Sequence, residues 1–325
     1  MRGAAVEFAD RAGELAGAFD LVFAGDMMSG ADWRALAPVH LARAPLVVYF
    51  HENQLTYPLR EEAERDYQYS FTNITTCLAA DEVWFNSDFH RREFLAAVDS
   101  LLKRMPDFVP ARVSERIAAR ATVMHPGVES PPPAPTAKRS KPYVVLWNHR
   151  WEWDKNPHEF FAALREVRAA GIDFRLAVAG ETFRDSPAVF AAARDEFDEA
   201  IVHWGHLESR TGYMSLLSRC DIVVSTAWHE FFGLAVLEAA AAGCVPVLPR
   251  RLSYPEIFPE GSGPAVFYDE GALADSLHTL LSNDDIPGRS AARALARDYL
   301  WENRIAEWDE AFAEAAAAGR AKHTL

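Results

Sequence analysis

The chain has 325 residues, half of them hydrophobic, and a formal net charge of -14. That length and apolar content suffice for two cores, while the acidic balance argues against a protein that grips nucleic acid through a broad positive surface. Three cysteines, Cys77, Cys220 and Cys244, sit in apolar or helical settings and make no disulfide framework. They fit a reducing cytoplasm; no signal peptide opens the chain, and no apolar run approaches the roughly 18 to 20 residues that span a bilayer.

Short apolar strands alternate with helical stretches along the whole chain, the pattern of parallel sheets covered by helices. In the first half the expected strands are 21–25, 45–50, 82–86 and 121–125, with amphipathic stretches at 61–80 and 87–102 between them. Ser87 is placed to cap the second of these. A stretch of cations from Arg91 to Arg120 is the one local exception to the acidic balance, and reads either as a solvated helical face or as a contact for nucleic acid. A proline-rich linker covers 129–141. The second half restarts with expected strands at 143–148, 174–180, 200–205, 221–226, 244–249 and 265–268, and an Ala/Arg-rich helical tail runs from 289 to 325. The expected fold class is α/β: two Rossmann-like, doubly wound domains, 1–128 and 142–288, facing across a cleft, with the tail packing back toward the first. Ligands of such sheets bind beyond the carboxyl ends of the strands.

Three clusters fall at those ends. Residues 229–249 carry Glu230 and Glu238 across an apolar turn containing Phe232, Gly233 and Leu234. With a helix starting near Phe232, Glu230 lies on the loop and Glu238 about two turns down. The first-turn N–H groups and the helix dipole then form an anion site between two carboxylates, suited to a sugar diphosphate. Arg150 and Lys155 follow the strand 143–148, and Asn156-Pro157 marks a helix start. Two cations there can clamp a diphosphate and neutralise it as it leaves. After the strand 45–50 come His51, Glu52, Asn53, Gln54 and Tyr57, polar groups that line a cleft better than they fill a core. The patterns of a metal-bridging acidic pair after a strand, a dinucleotide or Walker loop, zinc ligands and a serine elbow are missing. No metal is therefore expected.

Arg150, Lys155, Gly180, the segment Trp204–Gly205–His206–Leu207 and the pair Glu230 and Glu238 resemble the retaining glycosyltransferases of family 4, which adopt the GT-B fold. The resemblance implies no prosthetic group but a nucleotide-sugar donor. Arg150 and Lys155 would hold its diphosphate, Glu238 its ribose, and the 204–207 stretch would cradle its base. Glu230 and the amides of Phe232 to Leu234 would hold the transferred sugar. Phe231 stands where that family usually has glycine and is expected to narrow the sugar pocket.

A closer likeness covers nearly the whole chain: YFHENQLTYP, WNHRWEWDKNP, HEFFGLAVLEA and RLSYPEIFP (251–259) are similar to the tRNA-queuosine mannosyltransferase family. It implies GDP-mannose as donor and the cyclopentenediol of queuosine in a tRNA anticodon as acceptor. His51 would lie near the transferred sugar, with Glu52, Asn53, Gln54 and Tyr57 on the acceptor side and catalysis resting on His51, Arg150, Lys155 and Glu230. Family members usually open with a further strand, a glycine-rich loop and a second strand. The first domain is thus expected to be incomplete at its start, with an exposed sheet edge. Two alternatives stay open: a family 4 transferase with a small-molecule, glycan or lipid acceptor, and a nucleotide-sugar-binding protein without transferase activity.

Overall fold

The computed structural model describes residues 3–58, 66–132, 140–182, 186–261 and 263–323. The expected helical start at 61–65 and most of the proline-rich linker, 133–139, lie outside them. The chain divides into two compact units, Met1–Pro126 with Ile305–Leu325, and Gly127–Arg304.

In chain order the first unit contains α1 (Ala4–Ala12), β1 (Val22–Gly25), α2 (Gly30–Leu36), α3 (Val39–Ala42), β2 (Leu46–Phe50), α4 (Tyr67–Ala79), β3 (Glu82–Phe85), α5 (Asp88–Leu102), α6 (Val113–Ala118) and β4 (Ala121–Val123). Its four strands pair in the order β1-β2-β3-β4, all parallel. β2 reads LVVYF and is buried along its full length, as a strand covered on both faces must be. Alternation divides its side chains. Val48 and Phe50 join Ile74, Phe94 and Val98 on one face, while Val47 and Tyr49 meet Trp84, Met124 and Trp308 on the other. Ser87 caps α5 as its position suggests, its hydroxyl accepting from the His90 N–H at 3.0 Å.

The second unit runs β5 (Val144–Trp147), α7 (Pro157–Ala169), β6 (Arg175–Ala179), α8 (Val189–Glu196), β7 (Ile201–Gly205), α9 (Arg210–Arg219), β8 (Ile222–Val224), α10 (Leu234–Ala241), β9 (Val245–Pro249), α11 (Tyr254–Ile257), β10 (Val266–Tyr268), α12 (Leu273–Ser282) and α13 (Arg289–Arg297). Its sheet order is β10-β9-β8-β5-β6-β7, again parallel throughout. The winding direction reverses between β5 and β8, so the crevice of this sheet opens beyond their carboxyl ends. Every strand expected from the sequence is present, each shorter by a residue or two at its ends.

The tail is divided rather than packing in one direction. Ala292 and Ala296 of α13 lie in the core of the second unit with Val236 and Leu237 of the Ala-rich α10. A last helix, α14 (Trp301–His323), brings Trp308 and Phe312 onto Phe23, Tyr49 and Trp84 of the first unit. The Trp308 indole donates to His125 O at 3.1 Å.

Much of the basic stretch 91–120 is committed internally. Arg91 and Arg92 pair with Asp88, Arg112 with Glu115, and Arg120 donates to the carbonyls of Leu78 and Ala80, where α4 ends. A continuous basic face is therefore not what these residues build. No described helix is long and apolar enough to cross a membrane, and all three cysteines are free and buried.

Candidate active site

In the first unit, His51 follows β2 directly and its backbone is clamped from both sides. Asp26, just past β1, accepts from the His51 N–H at 3.3 Å; Asn86, just past β3, donates to the His51 carbonyl at 2.9 Å. The imidazole stands edge-on to the Tyr49 ring at 4.6 Å, and partial burial holds its pKa below the usual histidine value. Gln54 receives support from Asn73 on its amide and reaches Glu52 Oε1 at 3.4 Å. Asn53 corrects the sequence expectation. It is wholly buried, accepts from the N–H groups of Leu55 and Thr56, and donates to Thr56 Oγ1. It therefore builds the turn that carries Glu52, Gln54 and Tyr57 rather than facing a ligand.

Asp26 itself was missed in the sequence, although an acid directly after an apolar strand was the available signal. It is 3% exposed. Burial, followed by repulsion from Glu52, pushes its carboxyl up to about 7. Together with His51 it lines a cavity of about 850 Å³ bounded by α1, β1 and α2.

In the second unit the reversal point of the sheet holds a buried ion cluster. Lys155 sits in a 3-10 turn (Trp153–Lys155) after β5, with 7% of its side chain exposed. Its ammonium donates to His229 O at 2.6 Å and lies 3.2 Å from Asp154 and 3.7 Å from Glu230. Burial alone would lower the ammonium pKa, but Glu230 and Asp154 outweigh it and hold it above its ordinary value. Burial likewise opposes ionisation of Glu230, and Lys155 reverses this, leaving the carboxylate below its usual range. His149 and His229 are driven down to about 4, first by burial and then by Lys155, so both are neutral at pH 7. Asn156, in a left-handed conformation, caps α7 ahead of Pro157.

Glu230 lies on the loop between β8 and α10, its Oε1 accepting from the amides of Phe231 and Phe232 at 3.1 and 3.4 Å. Helix α10 begins at Leu234, two residues later than expected, so Glu238 stands little more than one turn inside it. Gly233 precedes it at φ 95° with no side-chain cap on the helix end. A Cβ there would be strained by that φ and would sit 3.0 Å from the Tyr254 ring. Phe231 is buried with its ring edge-on to His229 at 4.5 Å.

The RLSYPEIFP stretch now has a physical account. Arg251 donates to the carbonyls of Ala227 and Thr226, just beyond β8, and the Tyr254 hydroxyl meets Ser225 Oγ at 2.5 Å. These two side chains fix the loop from which Glu230 projects.

Beside the ion cluster lies a cavity of about 360 Å³ lined by Arg150, Gly180, His206, Leu207 and Glu238, and also by Asn148, Glu181, Ser209, Arg210 and Tyr213. Its size suits a nucleoside. Glu238 is held by Arg210 at 2.5 Å, and Arg210 also reaches Glu129. The Tyr213 hydroxyl accepts from Asn148 at 2.9 Å. Arg150 is paired with Glu152 at 3.2 Å, and 45% of its side chain is exposed. Gly180 is required by close approach: a Cβ would lie 1.9 Å from His149 O. Gly205 is outside the lining, its carbonyl accepting from the Gly180 N–H and so tying β6 to β7. Arg210 and Tyr213 were not anticipated, because nothing in their local sequence distinguishes them from ordinary helix residues, and Asn148, though inside the WNHRWEWDKNP stretch, was passed over beside Arg150 and Lys155.

Residues 1–128 match a family model described as tRNA-queuosine alpha-mannosyltransferase N-terminal, and residues 132–297 match glycosyl transferases group 1. The chain is 40% identical over 253 residues to the tRNA-queuosine alpha-mannosyltransferase of Drosophila melanogaster, covering 75% of this chain and 67% of that protein. It is 27% identical over 246 residues to a GDP-mannose-dependent alpha-(1-6)-phosphatidylinositol dimannoside mannosyltransferase of Mycobacterium tuberculosis, covering 73% of this chain and 58% of that one. Among solved structures, sucrose-phosphate synthase from Thermosynechococcus elongatus superposes with a TM-score of 0.68 at 17% identity, over 92% of this chain and 74% of that one. A structure described as "Trehalose-6-phosphate from E. coli bound with UDP-2-fluoro glucose" gives 0.67 at 16%, over 96% and 76%. The two parallel-sheet units thus have the GT-B fold of nucleotide-sugar-dependent glycosyltransferases, and the chain belongs to the tRNA-queuosine alpha-mannosyltransferase family.

Proposed function

We propose that the chain transfers mannose from GDP-mannose to a hydroxyl of the queuosine cyclopentenediol in tRNA, with retention at the anomeric carbon. The observation that carries the donor side is the buried Lys155–Glu230 pair at the reversal point of the second sheet, next to a nucleoside-sized cavity. The acceptor reading is supported by the likeness to the Drosophila relative and by the match over residues 1–128. Free cysteines fit the reducing cytoplasm in which a tRNA would be met.

In this reading the guanosine occupies the 360 Å³ cavity with its ribose on Glu238, and Arg150 and Lys155 face the diphosphate. The bond between the mannose C1 and the β-phosphate oxygen breaks while a bond from C1 to the acceptor oxygen forms on the same face. The acceptor proton passes to the departing phosphate oxygen. Two cations beside that oxygen stabilise the charge as it develops, the largest single contribution expected here. Glu230 orients the sugar, and the acceptor role is assigned to the first unit's own polar loop, which begins at His51. The test is donor use: GDP-mannose should be consumed far faster than UDP-glucose, and NMR of the product should show the α-anomer. Preference for a uridine donor, or a β-linked product, would sink the reading.

A further inference from the structure

A second concave surface lies in the first unit, apart from the cavity shared by Asp26 and His51. Two adjoining depressions, about 440 and 560 Å³, share Tyr67, Leu101 and Arg104. The first reaches Leu55 and Thr56, on the loop that starts at His51, and Ser70 fastens this loop by donating to Gln54 O at 3.0 Å. The second continues to Phe71 and Met105.

Large aromatic surface is left uncovered along this groove. Tyr67 and Phe71 stand one turn apart on α4, 50% and 41% exposed, and Phe108 beyond the groove is 94% exposed. Phe108 also has φ 44°, a left-handed conformation that is strained for a bulky side chain. Lys103 and Arg104 are exposed and pair with no side chain among the described residues. Among the described residues the acids nearby are Glu93 on the wall of the first depression, Asp66 beside Tyr67, Asp99 one turn before Lys103 and Asp107 beside Phe108.

We infer that this groove holds the unpaired nucleotides flanking the acceptor, with Tyr67, Phe71 and Phe108 as stacking platforms and Lys103 and Arg104 on the phosphates. The inference rests on the acceptor reading above and names where the strand runs. Rings at i and i+4 have Cβ atoms about 5 to 6 Å apart, within reach of successive bases. Aromatic faces stack on any base, and single-stranded loops are the form in which RNA is read. Continuity with the His51 loop leads the strand to the acceptor side, and local cations supply what the acidic chain lacks overall.

The test is binding of a labelled anticodon stem-loop RNA to the full chain at several salt concentrations, with transfer to queuosine tRNA followed in parallel. Alanine at Tyr67, Phe71 or Phe108 should weaken binding about 5- to 100-fold each. Lys103→Glu with Arg104→Glu should weaken it further and lower the salt slope by about two. GDP binding and thermal midpoint should stay at the wild-type values. Wild-type affinity in all of these variants overturns the inference, as does a wild-type chain that ignores the stem-loop or a face whose substitutions abolish self-association instead. Transfer failing in the wild type while the groove still binds RNA would instead discard the acceptor reading alone.

Discussion

The Lys155 ammonium lies 3.7 Å from Glu230 and 3.2 Å from Asp154 in a site where its side chain is 7% exposed. A charge this deep persists only because carboxylates surround it, and removing it leaves two of them uncompensated. Lys155→Ala should therefore lose about 3 to 5 kcal/mol of stability together with about 100-fold or more in kcat. Arg150→Ala should lose comparable activity with stability unchanged within about 0.5 kcal/mol, because Arg150 is exposed. Denaturant melts beside steady-state kinetics check the contrast; equal stability loss in both variants would contradict it.

Glu238 takes its orientation from Arg210 and borders the nucleoside-sized cavity. Glu238→Gln keeps the shape and removes the charge, so donor affinity should fall about tenfold with kcat little changed. Titration calorimetry with GDP reads this directly. A variant with unchanged GDP affinity would remove Glu238 from the ribose site.

Gly180→Ala places a methyl 1.9 Å from the carbonyl of His149, a backbone atom that cannot step aside. The loop bearing His149 and Arg150 must then shift, at a cost of roughly 1 to 3 kcal/mol. GDP binding should drop at least tenfold even though no donor contact is deleted, and retained binding would show the loop to be more compliant than this geometry implies.

Asp26 sets a pH dependence. Its folded-state carboxyl is pushed up to about 7, well above the usual value of 3.8, so ionisation opposes folding. Nothing is lost below pH 3.8, where both states are protonated, and the penalty is complete above pH 7, at about 4 kcal/mol by linkage. Asp26→Asn should equal the wild type in stability near pH 4 and exceed it increasingly up to pH 8. Urea unfolding at both pH values checks this; a gain that is constant with pH would mean the carboxyl is not strained by burial.

Strand positions were legible because fully buried parallel strands read as continuous apolar runs between turn residues, and the three motif clusters were legible because they follow such runs. Asn53 was misread since a buried Asx turn and a ligand-facing amide have the same local sequence. In the basic stretch the pairs Asp88–Arg91, Asp88–Arg92 and Arg112–Glu115 were legible from their i+3 and i+4 spacing, whereas the hold of Arg120 on the carbonyls of Leu78 and Ala80 depends on the fold. Arg251 and Tyr254 act on a loop far away in sequence, so their hold on Ser225, Thr226 and Ala227 could not be inferred from spacing. The place of Asp26 directly after an apolar strand was legible, but its raised carboxyl comes from burial and from Glu52, which spacing does not reveal.

The central claim is the reaction itself, and one assay tests it. The chain is incubated with labelled GDP-mannose and with tRNA that either carries or lacks queuosine, and the digested nucleosides are weighed. The account predicts one hexose added to queuosine and none to the tRNA that lacks it. Transfer to both tRNAs, or to neither while GDP-mannose is still bound, would contradict it.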